Sequence, residues 1–212
     1  MTGSEPGWVV LGAGGHARSV VDVLERAGHR VVAVTGEVPE GEAWHVDVVP
    51  DDRAAFEMIA AQGLHAVVAI GSNPARTHLV RELVARGASV PPVVAATATV
   101  SPHSIVGSGS VVLEHAHVGP ASRLGDAVVV NTAAVVEHDC RVGVGVHVAP
   151  GAVLLGGASV GDGALVGSGA RVLPRVSVGA GVTVGAGAVV TRHVADGETV
   201  VGAPAAPLGG PA

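Results

Sequence analysis

A six-residue repeat fills the second half of the chain and constrains its fold more than any other feature. Counting from Val100 in steps of six, every residue up to Val190 is Val or Leu, at sixteen successive positions without an insertion. The fifth residue of each hexad is small or Val, from Ser104 to Val194. Gly and Asp are frequent at the second to fourth positions, which favours turns. A 3.6-residue helix cannot sustain a period of six, so the repeat predicts extended chain.

The repeat predicts a triangular coil. Residues two apart in extended chain point the same way, so the fifth residue of one hexad and the first of the next both point inward. With one turn per hexad, a coil has three faces and 18 residues, and sixteen hexads make about five coils of stacked parallel strands. Aromatic residues are only 1% of the chain, so the core must be aliphatic and regular. Its many Val residues argue against low-complexity disorder.

The first half predicts a small α/β domain with a parallel sheet, because strand-like and helix-like segments alternate. Pro91-Pro92 marks its end, which gives an α/β domain over 1–95 and a β-helix domain with a C-terminal tail over 96–212. Helix ends are indicated by Asp51 or Asp52, Gly63, and Asn73 as an N-cap before Pro74. The predicted strands are Trp8–Leu11, Arg30–Val34 and His65–Ile70, and the predicted helices span Ala17–Ala27, Ala54–Gln62 and Asn73 to about Gly87.

A glycine-rich turn follows the first predicted strand. Gly12, Gly14 and Ala17 fit the pattern G-x-G-x-x-[G/A] before a helix, which would place backbone N–H groups against a pyrophosphate. Val34 is followed by Thr35 and Gly36, so the acid that binds the ribose of NAD is missing. The alternative is a domain that only packs against the rest of the chain.

Charge and cysteine content exclude several classes of function. The net charge is −6 and the chain has no Lys, which argues against nucleic-acid binding. Cys140 is the one cysteine, which rules out an internal disulfide and fits a reducing compartment. We find no pattern of a signal peptide or a membrane span and expect a cytoplasmic protein. Cys140 stands at an inward fifth position, where a core role is favoured over a nucleophile.

The combination of motifs resembles a known group of enzymes. The hexads and four short motifs are similar to those of hexapeptide-repeat sugar acetyltransferases. The motifs are Gly12-Ala13-Gly14-Gly15-His16, Asn131-Thr132, Glu137-His138-Asp139-Cys140 and Val201-Gly202-Ala203-Pro204-Ala205. The relevant members are the sialic acid O-acetyltransferases and the bacillosamine-pathway N-acetyltransferases. The resemblance implies a left-handed β-helix, a homotrimer, acetyl-CoA as co-substrate and a nucleotide-linked amino sugar as acceptor. It favours N-acetylation over O-acetylation, and no metal is expected.

His138 is the candidate general base. Acyl transfer from a thioester needs a base for the attacking group, and His suits that role near neutral pH. His138 is the third residue of its hexad and should point outward; the alternative is an ordinary surface His. The resemblance implies that Asp139 orients it. Gly156 follows by 18 residues and should lie one coil further on at the same corner, where its N–H could hold an oxyanion, unless it is a plain turn glycine.

The resemblance also implies the binding residues. His147 follows His138 by nine residues, the spacing of a His that contacts acetyl-CoA in the similar enzymes. The acetyl-CoA site is expected to include His147, Gly156, Ser168 and Ala186, and the acceptor site Gly12, Gly14, Gly15, His16, Gly71 and Asn73.

Other functions remain open on the sequence alone. The chain could be an O-acetyltransferase that acts on a free sugar or another small acceptor. It could be a zinc enzyme like the γ-class carbonic anhydrases, with His103, His115 and His117 as candidate ligands. We favour the alternative that these histidines are solvent-exposed turn residues. It could also be a scaffold without catalysis, which would not bind coenzyme A.

Overall fold

The N-terminal part of the molecule is an α/β domain built on one parallel sheet. The computed structural model describes residues 5–38, 41 and 43–209. Strands β1 (Trp8–Leu11), β2 (Val31–Thr35), β3 (Asp47–Val49) and β4 (His65–Val68) pair in the order β3-β2-β1-β4. Helices α1 (Gly15–Arg26), α2 (Asp52–Gln62) and α3 (Asn73–Ala85) flank the sheet. This confirms the α/β prediction for the first half of the chain.

The helix ends follow the expected capping rules with one exception. The Asp51 side chain accepts a hydrogen bond from Ala54 N–H at 2.8 Å, and α2 ends at Gly63 with a φ of 63°. The N-cap of α3 is Ser72, whose side chain faces Ala75 N–H, and the prediction of Asn73 as N-cap is wrong. Asn73 is unavailable because its side chain bonds elsewhere. The short strand β3 was not predicted, since three residues carry little periodicity.

The C-terminal part is a β-helix of three faces, which confirms the fold that the hexads predict. Up to Val190 each coil takes 18 residues, and strands one coil apart pair in parallel. The last coil takes 16 residues, because Thr183 pairs with Thr199 and Val178 with Val194. The first face contains Val93–Val94, Val111–Val112, Val129–Val130, His147–Val148, Leu165–Val166, Thr183–Val184 and Thr199–Val201, with Ala206–Pro207 antiparallel at its end. The second face contains Thr99–Val100, His117–Val118, Val135–Val136, Val153–Leu154, Arg171–Val172 and Val189–Val190. The third face contains Ile105–Val106, Arg123–Leu124, Arg141–Val142, Ser159–Val160 and Ser177–Val178.

Three corners join these faces. The first corner leads from the first face to the second, the second corner from the second face to the third, and the third corner from the third face back to the first. In a triangular coil the second corner therefore lies opposite the first face. This arrangement decides which of the predicted site residues can meet within one chain.

The β-helix core consists of the inward first and fifth residues of the hexads. From Val112 onward they form one continuous buried cluster. The rare polar members are satisfied by turn backbone: Ser122 Oγ donates to Glu137 O at 2.6 Å and accepts from Cys140 N–H at 3.0 Å. Cys140 is fully buried, and burial raises the pKa of its thiol, so it is a core residue as expected.

The N-terminal domain covers the first face of the β-helix. Val111 and Val129 occupy outward positions on this face, yet both are 0% exposed. Val111 packs in one cluster with Val20 and Leu24 of α1. The coverage ends near His147, which is only partly buried. His147 therefore lies at the edge where the β-helix emerges from beneath the domain.

Helix α3 follows the third corner. A Cβ on Gly109 would lie 2.8 Å from Val80 Cγ2, and one on Gly145 would collide with the Thr77 side chain. Further along the same corner, Asn73 Nδ2 donates to the carbonyl oxygens of Gly163 and Ala164 at 3.1 and 3.2 Å. Small residues at this corner thus let the helix approach the coil closely.

Arg76 is the central contact between α3 and the β-helix. Its side chain is fully buried among Leu79, Val80 and Leu83, at a core position of the helix. Nε donates to Ala127 O at 2.8 Å and Nη2 to Gly145 O at 2.9 Å. Nη2 also donates to Asn73 Oδ1 at 2.8 Å, and Nη1 donates to Ile70 O at 3.1 Å. Burial lowers the pKa of Arg76 to about 10, so it stays charged at neutral pH.

Arg76→Met should destabilise the protein strongly. The substitution leaves several buried carbonyl groups without a donor, at a cost of about 1–3 kcal/mol for each group that water does not reach. We expect the free energy of unfolding in urea to fall by at least about 2 kcal/mol. Arg81→Met is the matched control, because Arg81 lies on the same helix and is exposed. Equal stabilities of the two variants would contradict this account of Arg76.

Candidate active site

His138 and Asp139 form a hydrogen-bonded pair at the second corner. His138 Nδ1 lies 2.8 Å from Asp139 Oδ2, and the two side chains are 60% and 64% exposed. Asp139 has a left-handed φ of 59°, a conformation that Asp tolerates better than most residues. This conformation lets two adjacent residues direct their side chains toward each other. A carboxylate accepts hydrogen bonds only, so Nδ1 carries a proton, and in the neutral ring Nε2 carries the lone pair.

Gly156 provides the space into which His138 points. A Cβ at Gly156 would lie 2.5 Å from His138 Nε2 and 2.7 Å from Cε1. Gly156 does not have a positive φ, so the backbone conformation does not require glycine here. Glycine is needed because a side chain would collide with the His138 imidazole. No described residue accepts a hydrogen bond from its N–H. The predicted pair thus meets one coil apart, with a basic nitrogen beside a free N–H group.

The glycine-rich turn lies at the carboxyl end of β1. A Cβ on Gly12 would lie 2.6 Å from Ala69 O, and its φ is 130°, so this glycine is required by the fold. Gly14 and Gly15 have open space around them and begin α1 without a side-chain cap. A side chain at either position would occupy the space in front of the helix N-terminus. That space suits a phosphate group.

The second predicted acceptor loop is fixed by Arg76. Arg76 Nη1 donates to Ile70 O and lies 3.5 Å from Gly71 O. Both ends of the Asn73 side chain bond to protein, one to Arg76 and one to the β-helix. Asn73 therefore holds this loop on the third corner, and its part in acceptor binding stays a prediction.

His16 and His147 lie close to Arg76 at the edge of the domain interface. Burial, and then the charge of Arg76, lower the pKa of His16 to about 4. Burial lowers the pKa of His147 to about 4 as well, with contributions from Arg76 and His16. Both rings are therefore neutral at neutral pH. His16 Nε2 is buried, with no hydrogen-bond partner in the described part of the chain.

The predicted acetyl-CoA residues fall into two places. His147 lies on the first face, and Ser168 and Ala186 are exposed, one coil apart, at the first corner next to it. Gly156 lies at the second corner beside His138. Within one chain the structure does not bring His138 near His147 or His16, because the β-helix lies between the second corner and the first face.

Two residues that contact the predicted site residues were not identified from the sequence. Arg76 could have been noticed as a charged residue on the apolar stripe of α3. Asn131 was noted only as part of a motif; its Nδ2 lies 3.0 Å from His147 Nε2. The contact joins two coils, and only the 18-residue register together with side-chain reach would have suggested it.

The metal alternative gains no support. Across residues 5–38, 41 and 43–209, no group of three His, Cys, Asp or Glu side chains could hold a metal ion. His103, His115 and His117 are thus not grouped as ligands within one chain. In the same described ranges, no helix has the length and apolar character needed to cross a membrane.

Family models match both halves of the chain. Residues 8–83 match the PglD N-terminal domain, and residues 157–192 match the bacterial transferase hexapeptide model of six repeats. A search of curated proteins gave no match.

Several solved structures are similar over nearly the whole chain. PerB from Caulobacter crescentus, solved in complex with CoA and GDP-perosamine, is 40% identical with a TM-score of 0.90, covering 97% of this chain and 99% of that one. The acetyltransferase domain of PglB from Neisseria gonorrhoeae is 37% identical with a TM-score of 0.90, covering 96% of this chain and 100% of that one. WeeI from Acinetobacter baumannii is 26% identical with a TM-score of 0.85, covering 96% and 100%.

Gly156→Ala should impair the site without unfolding the coil. The added methyl group would displace the His138 ring, and a misplacement of about 1 Å can cost about 10²-fold in rate. We expect kcat to fall by roughly that factor, with an unchanged melting temperature. In a His138→Ala background the same substitution should have little further effect. A full additional loss in the double variant would show that Gly156 acts independently of His138.

Proposed function

The chain belongs to the bacillosamine-pathway type of hexapeptide-repeat sugar acetyltransferases, and on that premise we propose that it N-acetylates a nucleotide-linked amino sugar with acetyl-CoA. The identities of 37% and 40% over nearly complete chains support the family, and the two family models support its domain pairing. PerB was solved with CoA and GDP-perosamine, and the PglB domain also in complex with acetyl coenzyme A. Those ligands define the two substrate classes that we transfer to this chain.

The observation that carries the proposed mechanism is the His138–Asp139 pair facing Gly156. Asp139 fixes the proton on Nδ1, so that Nε2 can accept a proton from the attacking amine. The amine nitrogen forms a bond to the acetyl carbonyl carbon while Nε2 takes the proton. The Gly156 N–H, which has no partner among the described residues, suits the developing oxyanion. The C–S bond then breaks, and His138 returns the proton to the coenzyme A thiolate.

The acceptor is assigned to the N-terminal domain. Gly14 and Gly15 leave the N-terminus of α1 open, where N–H groups and the helix dipole favour a pyrophosphate. His16 follows in the first turn of the helix and offers an unpaired ring nitrogen. Gly71 lies at the neighbouring loop that Arg76 holds. These residues would bind the nucleotide and leave the sugar amine to extend toward a base.

We assign that base to another subunit of a homotrimer. The second corner, with His138, and the first face, with the acceptor domain, lie on opposite sides of one β-helix. A closed three-fold assembly can place the second corner of one protomer beside the first corner of the next. Acetyl-CoA would lie in this groove, between Gly156 on one side and His147, Ser168 and Ala186 on the other. Light scattering that shows a stable monomer at micromolar concentration would contradict the trimer.

We further propose that the enzyme works in the cytoplasm. Its one cysteine is buried and unpaired, which fits a reducing compartment.

The activity is tested with amino-sugar nucleotides of different bases. The enzyme should release the coenzyme A thiol with acetyl-CoA and at least one UDP-, GDP- or dTDP-linked amino sugar. NMR of the product should show an amide. Formation of an ester, or turnover of the hydroxyl analogue at the same rate, would instead indicate O-acetylation.

His138→Ala should lower kcat by about 10²–10⁴-fold, the usual contribution of general-base catalysis. Acetyl-CoA should still bind, and stability should barely change because the side chain is largely exposed. Asp139→Asn should cost less, since it disturbs the orientation of the base without removing it. In the wild type, kcat/KM should fall at acidic pH as the base becomes protonated, and this fall should disappear from the pH profile of His138→Ala. Near wild-type turnover of a folded variant would overturn the assignment.

A further inference from the structure

We propose that Asn131 is a positioning residue that fixes His147 as a hydrogen-bond donor, with its proton on Nδ1, toward an oxygen of acetyl-CoA. The inference rests on the proposed function, because that function supplies the ligand. It assigns His147 a role opposite to that of His138, although both are histidines on the outside of the same coil.

The orientation of the Asn131 amide is set by its own turn. Thr132 N–H donates to Asn131 Oδ1 at 2.8 Å, so the oxygen faces the backbone and the nitrogen faces outward. The Asn131 backbone is also held, because its N–H donates to Val148 O at 2.9 Å and its carbonyl accepts from Ala134 N–H at 2.9 Å. The side chain therefore presents an N–H group at a defined place on the first corner.

This N–H group decides the tautomer of His147. Asn131 Nδ2 lies 3.0 Å from His147 Nε2, and an amide nitrogen can only donate. Nε2 must therefore accept, and in a neutral ring the proton then resides on Nδ1. No described residue accepts a hydrogen bond from Nδ1. Nδ1–H is the group that His147 can offer to a ligand.

The surroundings keep the ring neutral. Arg76 of α3 and His16 of α1 are the ionisable groups whose charges act on His147, and both disfavour a second positive charge. Together with burial they lower the pKa of His147 to about 4. A neutral ring whose lone pair is already bonded is a poor base and a good donor. His147 thus suits a carbonyl or phosphate oxygen and not the ammonium group of the acceptor.

The contrast with His138 supports this division of roles. Asp139 accepts from Nδ1 of His138 and leaves Nε2 with a free lone pair. Asn131 donates to Nε2 of His147 and leaves Nδ1 with the proton. Both rings therefore hold the Nδ1–H tautomer, but they leave opposite nitrogens free: His138 offers the lone pair of Nε2, and His147 offers the N–H of Nδ1. Asn131 and Asp139 act through their histidines and not on the substrate.

The tautomer can be read directly, without any activity. In protein labelled with ¹⁵N in the histidine rings, long-range ¹H–¹⁵N spectra at neutral pH should show the His147 proton on Nδ1. His147→Asn identifies the signal. Asn131→Asp should move the proton to Nε2 or protonate both nitrogens, because a carboxylate must accept. His117 has the same hexad position on the second face and should be unaffected. An Nε2–H tautomer or an imidazolium in the wild type would overturn the proposal.

Ligand titrations separate the possible oxygen sources. Acetyl-CoA should shift the Nδ1 signal, whereas a nucleoside diphosphate alone should not. The reverse result would overturn the assignment to acetyl-CoA. If the protein transferred no acetyl group to any amino sugar, the proposed function would fail while the tautomer remained measurable, so the two failures are distinguishable.

Two variants of His147 test the donor role kinetically. Asn places its amide nitrogen near the position of Nδ1, and Gln places it near that of Nε2. His147→Asn should therefore retain much of the affinity for acetyl-CoA, while His147→Gln and Asn131→Asp should raise its KM by about tenfold, the usual range for one hydrogen bond. A role in packing alone would not produce this order. Equal KM values for the two His147 variants would contradict the proposal.

Discussion

The inward stacking of the first and fifth hexad residues is the constraint on which the rest of this structure depends. Because those aliphatic side chains fill the coil, each coil up to Val190 takes 18 residues, and every outward residue there falls on a fixed face or corner. His138 and Gly156 meet because they are one coil apart. The same 18-residue spacing lines the third corner with small residues, namely Gly109, Ala127, Gly145 and Gly163. Helix α3 packs along this corner, and Arg76 donates hydrogen bonds to two of its carbonyl oxygens.

The same period separates the two site histidines. His147 follows His138 by nine residues, which is one and a half hexads. Over that distance the chain runs from the second corner, along the third face and around the third corner, to the first face. His138 and His147 therefore lie on opposite sides of their own β-helix, one at an exposed corner and one under the edge of the N-terminal domain. A site that uses both histidines must draw them from two protomers. The repeat that stabilises each chain thus also imposes the assembly that we propose for catalysis.

Much of this could be predicted from the sequence, because the decisive information is periodic. The hexads predicted the faces, the inward place of Cys140 and the outward place of His138. Features that depend on contacts between distant segments were missed or misjudged. The sequence predicts Asn73 as a helix cap, but its side chain bonds to Arg76 and to the β-helix, and Ser72 is the cap instead. The hydrogen bond between Asn131 and His147 joins two neighbouring coils, and no local sequence pattern predicts it.

Complementation between two inactive variants tests the shared site most directly. Gly14→Val should block the acceptor domain, since Gly14 has open space around it in the fold, and His138→Ala removes the base. Each variant alone should turn over poorly at low acceptor concentration. Co-expressed in equal amounts, they should recover activity in about one quarter of the sites, because random trimers pair an intact acceptor domain with an intact base across the interface. Mixed trimers that recover no activity would contradict a site shared between subunits.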